Sequence, residues 1–83
     1  MLQLKIVSPE RIEFEGEVVS VLVPGMLGQF EILVNHAPII SSLDKGRVVY
    51  ALPDGEKKTL DIHGGFVEVQ KNVVSLCIEL NEA

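Results

Sequence analysis

The residues of this 83-residue chain that could do chemistry are few and lie far apart in the sequence. Two histidines, His36 and His63, and one cysteine, Cys77, fall short of the four nitrogen or sulfur ligands of a structural zinc site. A nucleophile made from Cys77 and a histidine would also need an orienting third group and a cleft. We therefore expect no metal and no cofactor. A small enzyme or ligand-binding β domain that uses both histidines stays open as an alternative.

The paired glycines Gly64 and Gly65 invite comparison with a phosphate-binding loop. Such a loop ends in Gly-Lys-Ser or Gly-Lys-Thr at the start of a helix, whereas here a strand-like segment follows. Glycines between strands more often mark a bulge or a close approach of the backbone. We therefore predict that both glycines are structural.

A second possible modification site is the turn Asp44-Lys45, which precedes Gly46. It is similar to the turn that carries the modified lysine of lipoyl and biotinyl carrier domains, which are also small acidic β sandwiches. A lysine before a glycine is equally ordinary turn chemistry. A carrier domain acylated on Lys45 is therefore the alternative to the function favoured below.

The elements that must position these residues are strands, because apolar and polar side chains alternate along almost the whole chain. Eight turn candidates rich in Gly, Pro, Asn and Asp interrupt the alternation, and Pro53-Asp54-Gly55 marks the clearest hairpin, between residues 48–52 and 59–62. The pattern predicts an all-β fold, a flattened two-sheet β sandwich or barrel of about nine to ten short, mostly antiparallel strands. Glu13, Glu15 and Glu17 predict an exposed or edge strand.

Composition limits the classes of partner. The net charge of −5 and the sequence pI of about 4.8 disfavour nucleic acid, which binds clustered Lys and Arg. No apolar run exceeds five residues, so we expect a soluble single domain over residues 1–83, with residues 81–83 as a frayed end. A single cysteine favours a reducing compartment. The mean hydropathy of +0.32 is high for a small domain, which suggests that some apolar surface faces a partner.

One ordered series of motifs covers nearly the whole chain. It comprises IVSP (6–9), FEGEV (14–18), PGMLGQFEILVNHAPI (24–39), KG (45–46), GGFVEV (64–69) and NVV (72–74). In this order they resemble the N-terminal domain of the epsilon subunit of F-type ATP synthases. The chain departs from that pattern at Glu31, at Val34-Asn35 in place of Pro-Gly, and at His63 in place of serine. The C-terminal helical hairpin with which that family usually continues is absent from this sequence.

The resemblance implies a β sandwich that performs no catalysis. It implies a central-stalk subunit that packs on the gamma subunit and the c-ring and couples proton-driven rotation to ATP synthesis. Its place would be the cytoplasmic side of the bacterial inner membrane, reached only indirectly through the c-ring.

The resemblance also implies contact residues, carried over by matching position. The c-ring contact would be Met26, Leu27, Gly28 and Gln29, although Gln29 is neutral where relatives are often acidic. The gamma contact would be Ser8, Pro9, His36, Ala37 and Pro38. We predict structural roles for Gly25, Gly28, Gly64 and Gly65, with a positive φ at Gly25.

Overall fold

The computed structural model describes residues 1–80, which form nine strands and no helix. Each strand follows the alternation seen in the sequence, with one side chain turned inward and the next outward. The strands are β1 (Leu2–Val7), β2 (Ile12–Val18), β3 (Ser20–Gly25), β4 (Gly28–Ile32), β5 (Ile39–Leu43), β6 (Gly46–Ala51), β7 (Lys57–Ile62), β8 (Gly64–Gln70) and β9 (Val73–Glu79). The all-β fold class and the expected number of strands are confirmed. The predicted frayed end, residues 81–83, lies outside the described residues.

Hydrogen bonds join the strands into one strongly curled sheet in the order β2-β1-β9-β8-β5-β3-β6-β7, with β4 paired to β3. The pair Gly25–Leu43 is the only ladder contact between β5 and β3 in the described chain, so the sheet bends there. One layer is therefore the five-stranded half, β2-β1-β9-β8-β5, and the other is the four-stranded half, β4-β3-β6-β7. Of the eight pairings among these strands, only β1–β9 is parallel.

A single hydrophobic core lies between the two halves. Burying each of its aliphatic side chains contributes about 1.5–3 kcal/mol before chain entropy is counted. Phe14 of β2 and Tyr50 of β6 contact each other with ring centroids 4.6 Å apart, so the far edge of the five-stranded half is tied to the other layer. The fully buried members are Leu2, Leu4, Ile6, Val18, Val21, Val23, Ile32, Val48, Val67, Val74 and Leu76.

The predicted hairpin at Pro53-Asp54-Gly55 is confirmed between β6 and β7. Gly55 adopts φ +93°, a region that glycine enters without a Cβ clash, and its N–H donates to the Leu52 carbonyl oxygen at 2.9 Å. The Asp54 carboxylate accepts a hydrogen bond from the Glu56 N–H at 2.9 Å. This turn could be predicted because its chemistry is local in sequence.

The predicted edge position of the glutamate-bearing strand is also confirmed, because among residues 1–80 β2 pairs only with β1. The expectation of a positive φ at Gly25 is wrong. Gly25 is the last residue of β3 and pairs with Gly28, and it is Gly28 that adopts φ +128°. The chain reverses one residue later than Pro24-Gly25 suggested, on Met26-Leu27. Over residues 1–80 we find no helix with the length and apolar character needed to cross a membrane.

Candidate partner-binding surface

The tip of the β3–β4 hairpin consists of two exposed apolar residues. Met26 is 58% exposed and Leu27 is fully exposed. The strands can close this tightly because Gly25 has no side chain. A Cβ at that position would lie 2.7 Å from the Gly28 carbonyl oxygen and 2.8 Å from the Phe30 ring. The hairpin thus presents apolar side chains to solvent at a position where the backbone leaves no room for a larger residue.

The hairpin tip is held against the end of β5. The Met26 N–H donates to the Ser42 carbonyl oxygen at 3.1 Å, and the Asp44 N–H donates to the Pro24 carbonyl oxygen at 2.8 Å. An open groove lies between the tip and β5, with Phe30 and Ile40 in its lining. Because both sides of the groove are fixed by backbone hydrogen bonds, the tip and β5 form one rigid surface.

A row of apolar side chains continues this surface across the outer face of the five-stranded half. Phe66 lies opposite Cys77 in the β8–β9 ladder, and Cys77 lies opposite Val7 in the β9–β1 ladder. Side chains at paired positions stand side by side on one face. Ile40, 75% exposed, lies diagonally from Phe66, 48% exposed, and Pro9 follows Val7 at the far end. We call Ile40, Phe66, Cys77, Val7 and Pro9 the apolar row.

The remainder of the outer face is polar. The next register across β8, β9, β1 and β2 brings together Glu68, Ser75, Lys5 and Glu15, and only its β5 member, Ile40 of the apolar row, is apolar. The one after it brings together Gln70, Val73, Gln3 and Glu17, in which Val73 is the sole apolar member. The apolar row is therefore confined to the end of the face that adjoins the Met26-Leu27 tip.

Ser8 and Pro9, both predicted gamma contacts, occupy different positions at the β1–β2 corner. Ser8 is 4% exposed, and its hydroxyl lies 3.2 Å from the Arg11 carbonyl oxygen and 2.9 Å from the Glu13 carboxylate. The hydrogen bond from Arg11, followed by that from Ser8, lowers the pKa of Glu13 below its ordinary value. Ser8 therefore supports the corner from the buried side, whereas Pro9 is exposed.

The other predicted gamma contacts, His36, Ala37 and Pro38, lie on the β4–β5 connection at the opposite end of the sheet. That connection is tied to Asn72 in the β8–β9 turn, whereas the Ser8 corner adjoins Cys77. The five residue steps from Asn72 to Cys77 span about 17 Å along β9. The fold does not bring the two groups of predicted contacts together.

Of the two glycines at the start of β8, Gly65 is the constrained one. Its φ is +144°, and a Cβ there would overlap the Cys77 carbonyl oxygen and lie 2.9 Å from the Ile78 Cα. Gly64 has no such contact, since the nearest atom to its Cβ position is the Leu43 carbonyl oxygen at 3.7 Å. Lack of a side chain at Gly65 lets β8 and β9 close directly beneath Phe66.

Comparison with known proteins places the chain among subunits of ATP synthase. The family model described as the β-sandwich domain of the ATP synthase delta/epsilon chain matches residues 1–82. The chain belongs to this family. The resemblance drawn from the motifs is thereby confirmed.

Two curated relatives indicate how much of a family member is present. The ATP synthase epsilon chain of Leptospira borgpetersenii serovar Hardjo-bovis is 46% identical over 76 residues, which make up 90% of this chain and 58% of the relative. The epsilon chain of Chlorobium limicola is 42% identical over 77 residues, 93% of this chain and 88% of the relative. The chain thus spans somewhat over half of the Leptospira relative and most of the Chlorobium one.

Solved structures of ATP synthases contain the same fold. A chain in the Euglena gracilis mitochondrial ATP synthase matches with a TM-score of 0.88 at 22% identity, covering 93% of this chain and 49% of that chain. A chain in the central stalk and c-ring of the Tetrahymena thermophila mitochondrial ATP synthase matches with a TM-score of 0.77 at 13% identity, covering 94% and 63%. At these identities the likeness extends to the fold alone.

Neither alternative for the chemistry-bearing residues gains support within this epsilon-type fold. The His63 N–H donates to the Glu79 carbonyl oxygen, whereas the His36 loop adjoins Asn72, about 24 Å away along β9. The alternative of one site that uses both histidines is therefore wrong. Within residues 1–80 no three His, Cys, Asp or Glu side chains cluster as metal ligands. Lys45 joins β5 to β6, which do not pair with each other, so it is not at a hairpin tip.

The sequence patterns did not predict most of the apolar row, namely Ile40, Phe66, Cys77 and Val7. A signal was present, because Phe66 lies in the outward phase of β8 beside the inward Val67 and Val69. The same holds for Ile40, the outward member of an Ile39-Ile40 pair on β5. An apolar residue in the polar phase of a strand indicates a covered outer face, but only the strand register brings these residues into one row.

Proposed function

We propose that this protein is a non-catalytic epsilon subunit in the central stalk of an F-type ATP synthase. It packs on the gamma subunit and on the c-ring, and it helps to couple ion-driven rotation of the ring to ATP synthesis. It is held peripherally at the cytoplasmic side of a bacterial inner membrane through the ring. Membership of the delta/epsilon family and the match to nearly the whole Chlorobium epsilon chain support this assignment.

The single observation that carries the proposal is the continuity of the apolar row with the Met26-Leu27 tip. In an 83-residue chain of net charge −5, polar groups are expected on the outer faces of the sheet. Here Ile40 and Phe66 lie exposed beside the Met26-Leu27 tip instead, and exposed apolar patches of this kind mark protein interfaces. We assign the apolar row to the gamma subunit and the tip, residues 26–29, to the c-ring.

The remaining predicted contacts fit a partner that extends along the sandwich. Pro9 adjoins the apolar row, and the His36-Ala37-Pro38 loop lies at the far end of the same five-stranded half. A gamma subunit that runs along the sheet can reach both. All these residues lie within one β domain, so the docking proposed here needs no C-terminal helical hairpin.

Rigidity is the property that such a role requires. Transmission of torque fails if the coupling element deforms. The aliphatic core between the halves is close-packed and yields little to strain. The domain therefore acts as a wedge between its partners, without chemistry of its own.

Two substitutions on the same face test the assignment. Phe66 and Val73 are 48% and 49% exposed, but Phe66 belongs to the apolar row and Val73 lies in the polar part. We expect Phe66→Asp to weaken association with the purified gamma subunit at least tenfold, and Val73→Asp to leave it within about threefold. Calorimetric titration measures both affinities, and circular dichroism checks that each variant is folded. Unchanged affinity in Phe66→Asp would refute the assignment, and failure of the unmodified chain to bind gamma would refute the proposed function.

A further inference from the structure

Two asparagines from distant parts of the chain hold each other by reciprocal hydrogen bonds. The Asn35 backbone N–H donates to Asn72 Oδ1 at 2.6 Å, and Asn72 Nδ2 donates to Asn35 Oδ1 at 3.2 Å. Both residues occupy the left-handed region, with φ of +67° and +63°. Asparagine tolerates this conformation better than other residues with a side chain. We call this pair the asparagine clasp, and it ties the β4–β5 connection to the β8–β9 turn.

The clasp fixes the residue that precedes His36. The His36 backbone N–H closes the turn by donating to the Leu33 carbonyl oxygen at 3.1 Å. On its other side the imidazole lies 6.5 Å from the Phe30 ring, centroid to centroid, at an interplanar angle of 35°. The structure places the His36 ring beside Phe30, on a turn that the clasp ties down.

In that orientation the two ring nitrogens have different roles. His36 Nδ1 lies 2.7 Å from the Ala37 carbonyl oxygen. A carbonyl oxygen can only accept, so Nδ1 must carry the proton and donate. In the neutral imidazole the other nitrogen, Nε2, is then an acceptor, because the hydrogen bond at one ring nitrogen sets the state of the other. Within residues 1–80 nothing donates to Nε2.

We propose that His36 recognises its partner as a hydrogen-bond acceptor through Nε2, and that Asn72 is the positioning residue that keeps it so. The group facing His36 is then a donor, such as a hydroxyl, an amide N–H or a lysine or arginine side chain. The identity of that partner as the gamma subunit rests on the function proposed above. The arrangement of the loop and the tautomer rest only on the geometry of this chain.

The tautomer can be tested on the full chain by nitrogen-15 NMR of the imidazole at neutral pH. We expect the His36 signals of a ring protonated at Nδ1 and bare at Nε2. We also expect the Asn35 amide to be protected from hydrogen exchange. A ring protonated at Nε2 would overturn the proposal, because Nε2 would then be a donor.

Asn72→Gly tests the positioning role, since glycine keeps the left-handed backbone and removes the amide. We expect at least tenfold faster exchange of the Asn35 amide, loss of the single His36 tautomer and about fivefold weaker gamma binding. The matched control is Lys71→Gly, because Lys71 has φ +52° in the same turn and no part in the clasp. Asn72→Asp should keep most of the protection of the Asn35 amide, since its carboxylate still accepts from the Asn35 N–H although it no longer donates to Asn35 Oδ1. Identical behaviour of the two glycine variants would overturn the role of Asn72.

Two substitutions of His36 separate its nitrogens. Glutamine places an amide at the position of Nε2, whereas asparagine reaches only the position of Nδ1. We expect gamma binding within threefold of the unmodified chain for His36→Gln and at least tenfold weaker for His36→Asn. The reverse order would overturn the acceptor role. If the unmodified chain does not bind gamma, the proposed function fails, while the NMR measurements still decide the tautomer and the clasp.

Discussion

Met26-Leu27 and Lys71-Asn72 each reverse the chain in two residues between antiparallel strands. In the Lys71-Asn72 turn both residues have a positive φ, as in a type I′ turn, which matches the twist of the flanking strands. In the Met26-Leu27 turn neither residue does, and the unusual φ of +128° falls on Gly28 just outside it. The Lys71-Asn72 turn takes its unusual backbone conformation at its own two residues, whereas the Met26-Leu27 turn takes it at the glycine that follows.

That difference decides what each turn can offer a partner. Glycines flank the first turn and allow its strands to close, so the Met26 and Leu27 side chains are not needed to hold the turn and are exposed. Asparagine closes the second, and its side chain is engaged by the β4–β5 connection. The first turn is suited to make contact, and the second to hold another loop in place for contact. The two ends of the sandwich thus reach rigidity by different means.

The largest loss of stability at the apolar end is expected from substitution of Gly65. This residue pairs with Leu43, which also pairs with Gly25 next to the Met26-Leu27 turn. Alanine there must occupy φ +144° and overlap the Cys77 carbonyl group. We expect Gly65→Ala to lower the free energy of unfolding by about 2–4 kcal/mol, measured by urea denaturation. Gly64→Ala is the control, expected to cost under about 1 kcal/mol. Equal losses would show that the glycine pair is not constrained where the geometry places it.

Introducing an aspartate at each of the two turns tests whether the Met26-Leu27 turn contacts a partner and the Lys71-Asn72 turn does not. We expect Leu27→Asp to leave the stability within about 0.5 kcal/mol, because the side chain packs on nothing. Binding of the chain to the purified c-ring should weaken about tenfold, which corresponds to about 1.4 kcal/mol. Lys71→Asp, at the other turn, should leave c-ring binding unchanged. Surface plasmon resonance on rings in detergent measures both, and similar losses in the two variants would contradict the assignment of the tip.

The smallest expected effect is a difference between the two ends in how their stability depends on pH. The Ser8–Arg11 corner at the apolar end relies on an ionised Glu13, whose pKa is lowered by Arg11 and then Ser8, whereas the asparagine clasp is neutral. A lowered pKa in the folded state stabilises the fold above the ordinary value of about 4.5, and this gain is lost as the pH falls through the lowered value.

Unfolding by urea at neutral pH and again well below the ordinary glutamate pKa should show this loss in the unmodified chain. Glu13→Gln should show a smaller decline with acid, since it has no carboxylate to protonate. The exchange rate of the Asn35 amide, corrected for intrinsic pH dependence, should not follow the same trend. An identical decline in the variant would mean that other carboxylates dominate acid sensitivity.

Local patterns in the sequence were sufficient for the strands, the Pro53-Asp54-Gly55 turn and the family, but they placed the β3–β4 reversal one residue too early. Alternation with period two depends only on neighbouring residues, so the sequence alone predicts a chain of about nine short strands. The Pro53-Asp54-Gly55 hairpin followed from turn chemistry within a few residues. The series of motifs from Ile6 to Val74 was enough to assign the family.

Tertiary structure alone decided which residues share a surface. Alternation tells which side chains point the same way, but not which strands are neighbours. The parallel pairing of β1 with β9 brings Val7 beside Cys77, 70 residues later, and so creates the apolar row. Ser8 is buried at the end of β1, and the His36 loop lies at the other end of the sheet, where Asn72 meets Asn35. Contacts between distant segments depend on register and packing, which no local pattern encodes.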